Sequence, residues 1–212
     1  MKKLTRNQTG WFAAALIAGT LLGGGFLPQA EKTGVVDVQK VVEQSEFGKA
    51  NQDTFSAMKS AREGVLEFID TYRVLTPEQA QKLRELSLKQ AATAPEKAEL
   101  ERVKADVIAA DKKSKELSTK TNLSPEERTL MEDYAKRSQA MEATAQRWFR
   151  EFTNEMQTWA DAQKLASVDK ARAAIQEVGK AGGYTIVFEV GVAPYGANDL
   201  TDAALKAMNA KK

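Results

Sequence analysis

The two β-prone segments of this chain lie near its opposite ends, and almost everything between them is patterned as helix. Val35, Val36 and Val38 form a short β-branched run, and Tyr184, Ile186, Val187, Phe188 and Val190 belong to a second run bounded by glycines. Residues 39–183 are polar and charged, with apolar residues recurring every three or four positions. The two ends can bury their apolar faces only by pairing with each other across that distance. The chain is thereby constrained to an α+β fold, a small β body built from its two ends with a long α-helical hairpin as an excursion. We expect residues 31–45 and 175–212 in the body and residues 46–174 in the helical part. Such an architecture suits a device that holds something better than an enzyme built around a pocket.

The 212 residues include no His and no Cys, which removes the commonest metal ligands and the usual general base. Gly48-Lys49 has neither the upstream glycine nor the hydroxyl residue of a phosphate-binding loop. No catalytic residue, cofactor or metal is expected.

Residues 1–30 read as targeting. Lys2, Lys3 and Arg6 precede an uncharged, mostly apolar run over residues 11–27, with a cleavage position after Ala30. That run is at the lower length limit of a spanning helix, so a retained anchor stands beside a removed signal. Without its three basic residues the chain carries 28 basic and 29 acidic side chains, a net charge of −1. Near-neutrality argues against a nucleic-acid partner.

Within the helical part, residues 41–75 read as one helix that Gly48 and Gly64 weaken, with Gly64 marking a bend. Thr76-Pro77-Glu78-Gln79 starts a short helix over residues 77–92, through a cap, an N1 proline and a Gln at N3. Leu100, Val103, Val107, Ala110, Ser114, Leu117 and Thr121 then form a heptad seam. Ser124-Pro125-Glu126-Glu127 is a capping box. Beyond it Met131, Tyr134, Ser138, Met141, Ala145, Trp148, Phe152 and Trp159 continue a seam that only Glu155 interrupts, and Gly182-Gly183 closes the helix. The hairpin spans residues 95–181 with its tip near 119–124. At ~1.5 Å per residue a helix over 125–180 is ~84 Å long, which the first and third segments (~52 and ~39 Å) just match. The short helix over 77–92 must then fold to the side. Residues 191–195 read as a further strand, residues 196–199 as a turn, and Leu205 and Met208 as the sheet-facing side of a last helix.

These residues resemble the OmpH/Skp family of periplasmic chaperones. The match runs through Gly34-Val35-Val36-Asp37-Val38-Gln39-Lys40-Val41-Val42, and more strongly through the 184–190 strand, Val192–Tyr195, Asp199-Leu200-Thr201 and Leu205. The resemblance implies an exported, periplasmic homotrimer whose β body holds three helical tentacles around a cavity. Unfolded outer-membrane or other envelope proteins would bind there without ATP. The competing expectation is a coiled-coil scaffold of the envelope, anchored by an uncleaved N-terminus.

Candidate contacts follow. Phe149 lies off the strict seam that carries Trp148, Phe152 and Trp159, and is the better candidate for touching a client. Lys112, Lys113, Lys115 and Lys120 cluster beside the tip, where they would meet acidic clients or lipid headgroups unless they are simply a solvated face. Asp37 reads as a strand-end or helix-capping residue rather than a site carboxylate. Val36, Val38, Tyr184, Ile186, Phe188 and Val190 are the candidate oligomerisation core, because a β body this small, near the ~40-residue limit, needs added support.

Overall fold

The computed structural model describes residues 31–196 and 198–210; residues 1–30, expected to be a targeting segment, and Ala197 of the expected turn lie outside the described residues. The order is β1 (Thr33–Val36), α1 (Val38–Gln44), α2 (Glu46–Thr71), α3 (Pro77–Leu88), α4 (Ala94–Ser118), α5 (Pro125–Ala181), β2 (Ile186–Glu189) and α6 (Thr201–Ala210). The fold is α+β, mostly helical, with the helices inserted between two strands from the ends of the chain. Among the described residues no helix is long and apolar enough to cross a membrane. The chain divides into two compact units, with boundaries at Val41/Val42 and within α5 at Ala171/Arg172.

In the first unit β1 and β2 pair in parallel, Thr33 with Ile186 through Val36 with Glu189. A parallel pair cannot be closed by a tight turn, and here the whole helical segment serves as the crossover. The other edge of β1 receives a single bridge, Val35 to Asp199, fixed by Val35 N–H to Asn198 O and Leu200 N–H to Val35 O, each 2.8 Å. Gly34 packs closely, since a Cβ there would lie 2.2 Å from Leu200 Cδ1 and the Leu200 side chain would have to shift. Val35, Val36, Leu200, Ala204 and Met208 are buried, while Leu205 is half-buried. Asp37 caps α1 by accepting from Lys40 N–H at 2.8 Å, and its own N–H donates to Thr201 Oγ1 at 2.9 Å. Gly183, at φ 68°, supplies the left-handed residue that ends α5.

Three expectations need correcting here. Val38 opens α1 and is not part of the strand. Strand β2 covers only Ile186–Glu189 of the 184–190 run, leaving Tyr184 and Val190 outside it, although Val190 N–H still donates to Val36 O. Residues 191–195 form no strand. Val192 N–H and Ala193 N–H both turn back to Glu189 O, at 2.9 and 3.1 Å, so the backbone there is spent on a turn rather than on a ladder.

The second unit is a helical bundle. The helix expected over residues 41–75 is two helices, broken at Ser45, and Gly64 causes no interruption. Ser45 is fully buried; its Oγ accepts from Gly48 N–H at 2.9 Å and donates to Val42 O at 2.7 Å. At Gly48 a Cβ would stand 2.0 Å from Val42 O, so the glycine permits the backbone to fold this closely. Both expected capping boxes form, Thr76 with Gln79 and Ser124 with Glu127. Pro95 lies in the first turn of α4, behind a third box in which Glu96 reaches back to Thr93 N–H at 2.8 Å.

The short helix α3 is no appendage. It contributes Ala80 and Leu83 to one apolar core with Val65 and Ile69 of α2, Val107 and Leu117 of α4, and Tyr134, Met141, Trp148 and Phe152 of α5. The α4 and α5 seams are thus the buried faces.

Candidate functional site

Helix α5 sorts its aromatic residues by angle. Trp148 and Phe152 are buried at 4% and 2% exposure, and Trp159 stacks on Phe55 with ring centroids 6.0 Å apart. Phe149, rotated off the seam by one residue, is 62% exposed. It borders an open groove of 380 Å³ between α2 and α5, lined by Leu66, Asp70, Ala145, Gln146, Phe149 and Arg150.

On the core side of the same helix lies a cluster that the sequence reading missed. Arg84 of α3 donates to Glu151 at 2.6 Å and to Glu155 at 3.3 Å, and Arg62 of α2 donates to Glu155 at 2.9 Å. The Arg84 guanidinium also sits 5.3 Å from the Trp148 ring centre and 5.0 Å from that of Phe152, and Arg62 lies 5.6 Å from Phe152. Cations over aromatic faces and carboxylates at their edges hold three helices at one level. The signal available was Glu155 itself: a carboxylate interrupting an apolar seam needs cations from elsewhere.

The tip lysines are mostly matched by their own chain. Lys115 pairs with Asp111 at 2.6 Å, Lys120 with Glu127 at 2.5 Å, and Lys113 with Glu116 at 4.0 Å. The Lys120 hydrogen bond, aided by Ser124 N–H, holds the Glu127 carboxyl below the ordinary range. The Asp111 hydrogen bond raises the Lys115 ammonium. Lys112 makes no ion pair among the described residues.

In the first unit Ile186 and Phe188 are 45% and 39% exposed. Tyr184 and Val190 are half-buried, Val190 N–H donates to Val36 O at 2.9 Å, and Lys32 lies 4.1 Å from the Tyr184 ring centre. Val36 is buried within the chain at 2% exposure, so it presents no surface to a partner. The following loop leaves Val192 and Tyr195 at 75% and 92% exposure. Among the described residues no cluster of acidic side chains is arranged to hold a metal ion.

A small parallel sheet closes a long helical insertion, and apolar side chains are left open on both units. The description "Outer membrane protein (OmpH-like)" belongs to the family that matches residues 32–208, and the chain is a member of it. Neither curated proteins nor solved structures gave a match. Membership supports a chaperone kind of function for outer-membrane proteins in the periplasm and fits a protein that is not an enzyme.

Proposed function

We propose that the chain is an ATP-independent holdase for unfolded outer-membrane or other envelope proteins, exported by residues 1–30 and acting as a homotrimer. The observation that carries holding is Phe149, a large aromatic left in solvent on a helix whose other aromatics at that level are buried. Many weak contacts of this kind shield a client's apolar segments without fixing one conformation, and release needs no nucleotide. The test is aggregation suppression: the mature protein should keep an unfolded outer-membrane barrel soluble at near one oligomer per client with no nucleotide present. Failure with several unrelated envelope clients would leave the envelope scaffold as the better reading.

Self-association is supported by the other unit. A two-stranded sheet is marginal by itself, and Ile186, Phe188, Val192 and Tyr195 leave apolar surface beside it. Copies meeting through that surface would complete a core that one chain lacks. Light scattering should report a trimer; a stable monomer at micromolar concentration would overturn this part. Contact of the tip lysines with lipid headgroups is the weakest element, because three of the four are already paired within the chain.

A further inference from the structure

The groove beside Phe149 is built from three pairs of residues spaced by four: Leu66 and Asp70 on α2, Ala145 and Phe149 on α5, and Gln146 and Arg150 one row further round α5. The helices run antiparallel. The register set by Asn51 with Ser167, Phe55 with Trp159 and Arg62 with Glu155 places Leu66 across from Phe149 and Arg150, and Asp70 across from Ala145 and Gln146. One end of the groove is therefore apolar, with the exposed Phe149 ring beside the half-buried Leu66. The rim of that end carries a guanidinium. Arg150 makes no side-chain hydrogen bond or ion pair among the described residues, and neither does Gln146.

The contrast with the core side of α5 gives this rim its meaning. There Arg62, Arg84 and Arg147 are each matched by Glu151 or Glu155. On the groove side the one carboxylate, Asp70, is taken by Arg73. The cation at Arg150 is thus uncompensated next to an uncovered aromatic, and charge complementarity selects an occupant that brings a carboxylate.

We infer that this groove binds an aromatic or branched aliphatic side chain of an unfolded polypeptide that has an acidic residue next to it in sequence. The apolar side chain lies between Phe149 and Leu66, and the neighbouring carboxylate pairs with Arg150. The inference rests on the holding function and narrows it. Segments recognised here are apolar residues flanked by Asp or Glu, and a segment flanked by Lys or Arg is rejected by like charge at the same rim.

The experiment titrates the full mature protein with end-capped hexapeptides carrying one phenylalanine followed by aspartate, asparagine or lysine. The Leu66 methyl and Gln146 side-chain amide resonances are the readout. The aspartate peptide should shift both to saturation. Phe149→Ala should weaken it about tenfold, by removing the burial of an aromatic face, while Phe149→Leu restores most of the loss. Arg150→Gln should remove the preference for aspartate over asparagine, a difference of up to about fivefold for an exposed ion pair. Phe149 and Arg150 are exposed, so these variants keep the fold, which circular dichroism checks.

Saturable shifts that are independent of Phe149, or absent altogether, overturn the inference. Shifts at Leu66 that follow protein concentration without peptide would overturn it too, since a second copy of the chain would then fill the groove. Aggregation suppression is run in parallel. A wild type that holds clients while Leu66 ignores the peptides loses the groove but keeps the holding function. A wild type that binds the aspartate peptide through Phe149 yet holds no client keeps the groove and loses the holding function.

Discussion

The helical unit and the sheet unit handle apolar surface in opposite ways. The helices satisfy their backbone internally, and four of them converge on one core in which Val107 and Leu117 are 0% and 1% exposed. The sheet unit has two four-residue strands and a single extra bridge, and leaves Ile186, Phe188, Val192 and Tyr195 open. Strands need partners for both edges and both faces. A helical excursion can complete itself within one chain; a two-stranded sheet cannot. Stability should therefore be a property of the single chain in one unit and of the assembly in the other.

The sharpest way to break that comparison is Phe188→Asp. A carboxylate buried without a partner between copies is costly, so sedimentation should show the proposed oligomer reduced to monomer while the helical unit keeps its melting midpoint. An unchanged molecular mass would mean that the open face of β2 is not where copies meet. Phe152→Ala should do the converse. Removing a fully buried ring costs about 3–5 kcal/mol, visible in urea melts followed by tryptophan fluorescence, and the oligomer should persist. If Phe152→Ala dissociates the protein, the two units do not fold independently.

A smaller effect is expected at the Arg62–Glu155–Arg84 cluster. Glu155→Gln leaves shape intact and removes the charge, and its side chain is 42% exposed, so water screens part of the attraction. The loss should be about 1 kcal/mol. A double-mutant cycle with Arg84→Met checks it; zero coupling would mean that the cation–ring contacts alone hold α3. The smallest effect is expected at the tip. Neutralising Lys112, Lys113 and Lys115 together should weaken client holding by less than about threefold, given the modest energy of exposed pairs. The change should vanish at high salt, where screening shortens to about 3 Å. A large, salt-resistant loss would restore the tip as a principal contact.

Features set by local chemistry were legible in the sequence. Thr76 with Gln79 and Ser124 with Glu127 name their helix starts three residues apart, and the seam spacing of α5 separated Phe149 from Trp148 and Phe152. The break at Ser45 was missed because helix propensity points to Gly48 and Gly64 alike and places the bend at Gly64, whereas the chain turns at a buried Ser45 that bonds Gly48 N–H and Val42 O. The strand expected at 191–195 was misplaced because β propensity counts side chains and ignores where the backbone bonds; Val192 and Ala193 N–H close a turn onto Glu189 O.

The sequence by itself determined the α+β class, the pairing of distant ends, the caps at Thr76 and Ser124 and which face of each long helix is apolar, because each follows from propensity or spacing along the chain. Only the tertiary structure decided that α3 joins the core, that Glu155 gathers Arg62 and Arg84 from 93 and 71 residues away, that the tip lysines are mostly neutralised, and that Phe149 borders a groove with Leu66. Those facts depend on which helices become neighbours. Neighbourhood is settled by packing the whole chain at once, through contacts that no short window of residues contains.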